Sequence, residues 1–244
     1  IYANSLAPAK RNEAFTLMYG MEPKEKECLL YLPMYSELES LKIGIQPGSS
    51  IETIPNPFGQ KVVFFGSSFT QGIGASRPGM SYPLQIERNT NLHVCNLGFS
   101  GNAKLQSYFA EVIAATKADA FVFDVFSNPD AMQIKKRLQA FVDIIVTKHP
   151  KTPLIFVQTI QRGNEAFNTL IRDRERDKQE IVGTLMKEII RKYPNIYLIG
   201  NPLPAPESRD TCTDGTHPSD LGYYFWAKNL EKKIIEILNK NKCL

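Results

Sequence analysis

What most constrains the fold of this 244-residue chain is a rhythm that begins at Lys61, where short apolar runs alternate with longer stretches of helical character. The runs are Lys61–Phe65, Leu92–Leu97, Ala120–Val125, Pro153–Gln158 and Ile196–Ile199. The first, with Val62-Val-Phe-Phe65, is apolar throughout, as befits a strand buried on both faces by helices that cover a parallel sheet. Helices are predicted near Tyr82–Arg88, Ala103–Thr116, Pro129–Lys148 and Asn164–Lys192, with a last one over Pro218–Asn239. Pro218 suits a first helical position, because its missing N–H would have no intrahelical partner. The expected fold is α/β: a three-layer α/β/α flavodoxin-like sandwich around a mainly parallel five-stranded sheet.

Residues 1–58 follow a different pattern. Cys28–Tyr35 and Leu41–Ile45 read as two extended runs, set off by the Ser36–Ser40 segment and by the Pro/Gly-containing stretches that follow. Two strands alone do not close a core. They are expected either to pack on the α/β domain or to end a β-domain whose earlier strands are absent. The division is therefore a short N-terminal β segment, 1–58, and a main domain, 59–244. The chain opens at Ile1 without a methionine or a basic-then-apolar leader, and a processed or excised polypeptide is expected.

Charge and cysteine content narrow the function classes. Lys+Arg 29 against Asp+Glu 25 gives +4, and the lysines between Lys228 and Lys242 alternate with Leu230, Ile234, Ile235 and Leu238. That is a solvated helix face, not a nucleic-acid stripe. No apolar run reaches the roughly 18 residues that a transmembrane helix needs. Cys28, Cys95, Cys212 and Cys243 show no C-x-x-C spacing, which argues against a zinc or redox motif. Cys95 reads as a small buried hydrophobe, and a bridge among Cys28, Cys212 and Cys243 stays open. The three histidines are too scattered for a metal site, with His93 and His149 in structural or solvated positions. No cofactor is expected.

The chemistry-bearing residues cluster at predicted strand ends. The first strand runs into Gly66-Ser67-Ser68, at the carboxyl edge where open α/β sheets place ligands. The second ends in Asn96-Leu97-Gly98-Phe99-Ser100-Gly101-Asn102, where Gly98 offers a backbone N–H unhindered by a side chain. The third leads to Asn128, whose amide NH₂ can donate. Near the C-terminus Asp214-Gly215-Thr216-His217-Pro218 sets an acid three residues before a histidine, at the expected start of the last helix. An acid that orients a histidine base calls for a nucleophile, and Ser68 is the candidate. Taken singly, each block has a plainer reading as a turn or a helix start. Gly72-Ile-Gly74 lacks the third glycine of a dinucleotide fingerprint, since Arg77 stands there, and Thr70 breaks the G-x-S-x-G elbow.

These four blocks, in this order and spacing, resemble the SGNH hydrolases, or GDSL-type lipase/acylhydrolase family, over about residues 59–240. The resemblance implies a Ser68–His217–Asp214 triad and an oxyanion hole of Ser68 N–H, Gly98 N–H and Asn128. One departure is Ser67, where the family's first block usually has aspartate. The stretches Gly66–Pro83 and Asn96–Asn102 look especially like a bacterial branch with an N-terminal β-sandwich, whose end would be Leu30–Tyr35. The implied activity is hydrolysis of carboxylic esters through an acyl-enzyme, with a small ester or acylated carbohydrate as substrate, in an extracytoplasmic compartment. Alternatives are a catalytically silent glycan-binding module on the same fold, or a thioesterase or lysophospholipase. Tyr82, Phe99, Phe126 and Arg162 are possible cleft residues, although aromatic residues near strand ends are more often core.

Overall fold

A computed structural model of the chain describes residues 16–200 and 209–244. In chain order its elements are β1 (Lys61–Gly66), α1 (Ser68–Gln71), α2 (Tyr82–Thr90), β2 (His93–Gly98), α3 (Ser107–Ala115), β3 (Ala120–Asp124), α4 (Ala131–Lys148), β4 (Leu154–Val157), α5 (Thr169–Lys192), β5 (Ile196–Ile199) and α6 (Asp220–Lys240). Short 3₁₀ turns lie at Gly163–Ala166 and Arg209–Thr211. The five strands form one sheet in the order β2-β1-β3-β4-β5, and every pairing is parallel.

Strand alternation divides the core in two. Val63, Phe65, Phe121, Phe123, Leu154 and Phe156 point to the face covered by α3, α4 and α5, where Ile113, Leu138, Phe141, Ile145 and Met186 complete the packing. Val62, Phe64, Val122, Ile155 and Val157 point to the opposite face, beneath α2 and α6. There Trp226 of α6 stacks on Tyr82 of α2 at 4.6 Å and meets Phe69 of α1 at 5.5 Å. These layers make the expected three-layer α/β/α sandwich.

Several element boundaries differ from the sequence expectation, and each has a local cause. α3 starts at Ser107 and not at Ala103, because Leu105 adopts a left-handed φ of 59°. The predicted Asn164–Lys192 helix is divided: a 3₁₀ turn ends at Ala166, and α5 starts afresh with Asn168 Oδ1 accepting from Ile171 N–H at 3.1 Å. The last helix is capped by Ser219, whose Oγ accepts from Gly222 N–H. Pro218 is thus not a first-turn proline: it pairs with Cys212 in an isolated bridge, and the His217 block is a loop ahead of α6.

The N-terminal part also differs. Neither Cys28–Tyr35 nor Leu41–Ile45 forms a strand, and no ladder occurs among described residues 16–60. This segment meets the α/β body mainly through side chains instead. Tyr35 O–H donates to Gly72 O at 2.8 Å, Gln71 Nε2 donates to Met34 O at 2.9 Å, and the Arg88 guanidinium lies over the Tyr31 ring. Leu30, Leu32, Leu41, Ile43 and Ile45 remain exposed. Residues 1–15 of the expected N-terminal unit lie outside the described residues. All four cysteines are free.

Candidate active site

The sheet order brings the site together. In the ladders Gly66 of β1 is level with Gly98 of β2 on one side and with Asp124 of β3 on the other, so three blocks leave the sheet at one height. Gly66 is required there, since a Cβ would stand 2.2 Å from Thr70 Oγ1 and 2.7 Å from Asp124 Cβ. Ser67 caps α1, its Oγ accepting from Phe69 N–H at 3.1 Å, which makes Ser68 the first residue of that turn.

Ser68 Oγ is 3.0 Å from His217 Nε2, and His217 Nδ1 is 2.7 Å from Asp214 Oδ2. Asp214 Oδ1 also accepts from the backbone N–H groups of Thr216, at 2.9 Å, and His217, at 2.7 Å. Partial burial pushes the Asp214 carboxyl up, but these bonds and the imidazole outweigh it and hold the pKa at about 2. An ionised carboxylate only accepts, so Nδ1 carries the imidazole proton and Nε2 is left to accept from the Ser68 hydroxyl. Thr213 N–H to His217 O and Ser219 N–H to Thr211 O fix this loop as a narrow hairpin.

The departure at Ser67 acquires a physical account. Asp124 is buried, and its Oδ2 accepts from Ser67 Oγ at 2.5 Å, Ser67 N–H at 3.1 Å and Thr70 Oγ1 at 3.1 Å. Its Oδ1 accepts from Ser127 Oγ at 2.7 Å. Burial raises the Asp124 pKa, opposed by the bonds from Ser127, Ser67 and Thr70. One carboxylate therefore ties the nucleophile turn to the turn that carries Asn128.

A pocket of about 260 Å³ opens at Ser68, lined by Ser68, Phe69, Ser100, Gly101, Ser127, Asn128, Arg162, Thr216 and His217. Asn128 lies there as expected, its Oδ1 buried without a partner. Gly98 does not line this pocket. It faces a separate cleft and packs so closely on α1 that a Cβ would sit 2.2 Å from the Gln71 backbone nitrogen. The glycine at the pocket is Gly101, three residues on, with φ +71° and open space where a Cβ would be. It lies in a turn closed by Asn102 N–H to Phe99 O at 3.0 Å. Gln71 holds the turn from outside, its Oε1 accepting from Ser100 N–H at 3.0 Å.

Of the possible cleft residues, Arg162 lines the pocket, whereas Tyr82 and Phe126 are core. Phe99 is partly exposed and packs on Phe65 and Phe109. His149 bonds Ala114 O and meets Phe121 edge-on, a structural role. No cluster of His, Cys, Asp and Glu among the described residues is arranged to hold a metal, and no described helix is long and apolar enough to cross a membrane.

Comparison with known proteins agrees with this fold. The GDSL-like lipase/acylhydrolase family matches residues 59–235, and a family described as the N-terminus of SGNH-hydrolase-type esterases matches residues 2–51. No curated protein matches. Among solved structures, a protein of Bacteroides ovatus ATCC 8483 assigned as a GDSL-like lipase is 38% identical with a TM-score of 0.82, over 86% of this chain and 62% of that one. This chain thus spans less than two thirds of that relative's length. A salicylyl-acyltransferase from a tetracycline biosynthetic pathway, 21% identical, has a TM-score of 0.61 over 73% of this chain and 55% of its own. A two-domain esterase active on acetylated mannans, 20% identical, has a TM-score of 0.55 over 75% of this chain and 49% of its own. The last two likenesses concern the fold; the family match covers most of the chain, and with it the chain belongs to the GDSL-like lipase/acylhydrolase family.

Proposed function

We propose that the chain is a serine esterase that cleaves carboxylic esters of short acyl groups, with acetylated carbohydrate as its substrate class, in an extracytoplasmic setting. The observation that carries this reading is the continuous relay Ser68 Oγ, His217 Nε2, His217 Nδ1, Asp214 Oδ2, with steps of 3.0 and 2.7 Å, whose Ser68 and His217 line a pocket. Residues 59–244 form the hydrolase domain in this reading, and 1–58 the N-terminal segment, whose described part meets that domain through Tyr31, Met34 and Tyr35.

Ser68 Oγ attacks the ester carbonyl carbon while His217 Nε2 takes the hydroxyl proton. The carbonyl oxygen becomes an oxyanion that accepts from Ser68 N–H, Gly101 N–H and the Asn128 amide. Gly101 takes the place expected of Gly98, because Gly101 lines the pocket with Ser68. The bond to the alcohol oxygen then breaks, and His217 returns its proton to that oxygen. Water, deprotonated by His217, attacks the acyl-Ser68 carbonyl; the acid leaves and Ser68 regains its proton. The small, polar-lined pocket fits an acetyl group and a hydroxyl-bearing alcohol better than a long acyl chain.

The test is turnover of p-nitrophenyl acetate against longer acyl esters and acetylated sugars, with fluorophosphonate labelling. Wild type is expected to label and to prefer the acetyl ester, and Ser68→Ala to do neither. A wild type that behaves like Ser68→Ala would refute the reading.

A further inference from the structure

The relay leaves a second set of charged side chains beside the pocket without a role. Glu175 and Lys178 of α5 are buried, and Arg162 is nearly so, with its side chain 13% exposed. Arg162 Nη2 lies 3.4 Å from Glu175 Oε1, and Lys178 Nζ lies 2.7 Å from Glu175 Oε2. Arg174 reaches Glu175 Oε1 from the surface at 3.5 Å. Desolvating charges costs several kcal/mol per ion, and apolar replacements of a buried ion pair are often neutral or stabilising. Stability alone therefore gives a weak account of this cluster.

Both buried cations converge on one atom. Arg162 Nη2 donates to Ser127 O at 3.0 Å, and Lys178 Nζ donates to the same oxygen at 3.1 Å. That carbonyl belongs to the peptide whose nitrogen is Asn128's. The Ser127 side chain is already fixed from the other side by Asp124 Oδ1. The residue preceding the oxyanion amide is thus clamped at its hydroxyl by a carboxylate and at its carbonyl by two cations, with Glu175 as their counterion. Arg162 is further located by Glu165, whose Oε1 accepts from Arg162 N–H at 2.6 Å, and by the Phe69 ring 5.7 Å beneath its guanidinium.

We propose that Arg162 is a positioning residue for Asn128: with Lys178 it holds the Ser127–Asn128 peptide so that the Asn128 amide meets the oxyanion. The proposal rests on the esterase reading above, and it predicts an effect on transition-state stabilisation with little on substrate binding.

A double-mutant cycle on p-nitrophenyl acetate tests it, with the fold of each variant checked by circular dichroism. Asn128→Ala should lower kcat about 100- to 1000-fold, the usual cost of one oxyanion donor. Arg162→Met should lower kcat by about 10- to 100-fold with KM changed less than about 3-fold, and Arg162→Lys, which can still donate to Ser127 O, should recover most of the loss. In the Asn128→Ala background Arg162→Met should cost less than about 3-fold, because the group it positions is gone. Should Arg162→Met fail to fold, Lys178→Met, which removes the other donor to Ser127 O, carries the same cycle. Equal losses in both backgrounds, or a change confined to KM, would overturn the positioning role while leaving the esterase reading intact. An Asn128→Ala enzyme with undiminished turnover would instead remove the oxyanion assignment on which the proposal depends.

Discussion

Restoring the aspartate usual in the family's first block should damage this protein. In Ser67→Asp a carboxylate replaces a hydroxyl whose Oγ lies 2.5 Å from Asp124 Oδ2, at a position with no solvent access. The change removes a charge-assisted hydrogen bond, worth about 1.5–3 kcal/mol. It also sets two like charges together, a repulsion of about 4 kcal/mol at 4 Å and an effective dielectric of 20. The pair can escape part of that repulsion by retaining a proton. A net destabilisation of about 3–5 kcal/mol at pH 8 follows, or roughly 6–20 °C in Tm for a chain of this size. The pH dependence has a definite sign. The pair's folded pKa is raised above the unfolded carboxylate value near 3.9, so the penalty is absent below about pH 4 and grows as pH rises through the folded value. Thermal unfolding at pH 5 and pH 8, with acetyl-ester turnover, measures both effects. Asp124→Asn in the Ser67→Asp background leaves one carboxylate facing an amide donor and should recover at least half of the Tm loss. A Ser67→Asp protein as stable and active as wild type at pH 8, or a double variant no better than the single, would refute the reasoning.

Asp214, held at about 2, should stay ionised through the working range, so its own titration should leave no mark on kcat/KM above about pH 4. Asp214→Asn should lower the plateau by up to about 10⁴-fold without abolishing labelling of Ser68, and a pH–rate profile checks it. As the Asp214 pKa is depressed, its contribution to stability is fully present above about pH 4 and is lost as pH falls through about 2, which acid titration of Tm would show. Gly98→Ala drives a methyl group into the Gln71 backbone and should lower both Tm and turnover, whereas Gly101→Ala meets no atom but strains a left-handed residue by about 1 kcal/mol and should act mainly on turnover. Gln71→Ala cuts the bridge between Met34 O and Ser100 N–H and should lower kcat by about 3- to 10-fold, with similar loss in an acyl-chain series; unchanged kinetics would show that the Gly101 turn needs no outside support.

The parts of the fold that could be read from residue order are those whose cause is local. A strand buried on both faces is apolar along its length, and all five were recognisable to within about two residues at each end. Ser68 and Asn128 stood out because each follows such a strand, and Asp214 and His217 because an acid three residues before a histidine precedes the last helix. Which of Gly98 and Gly101 lines the Ser68 pocket was not local: both stand in Asn96–Asn102, and what separates them is the Gln71 backbone against one and the left-handed turn of the other. The two N-terminal runs have strand-like composition, but a strand also requires a partner, and here the contacts run through Tyr31, Gln71 and Tyr35. Arg162 and Lys178 converge with Ser127 from positions 35 and 51 residues away, a relation that no periodicity carries.

The carboxylate beneath the nucleophile turn has a consequence for how such proteins are found. The turn at Ser67 draws its acceptor from the end of β3, 57 residues further along the chain. An aspartate at the position of Ser67 would bring that acceptor with it, and a second acid at the position of Asp124 would then face a like charge. The two sites should therefore vary as a pair, acid at one and neutral donor at the other. A search that insists on Gly-Asp-Ser reads one position, whereas in this chain the carboxyl that braces the nucleophile turn stands at the end of β3.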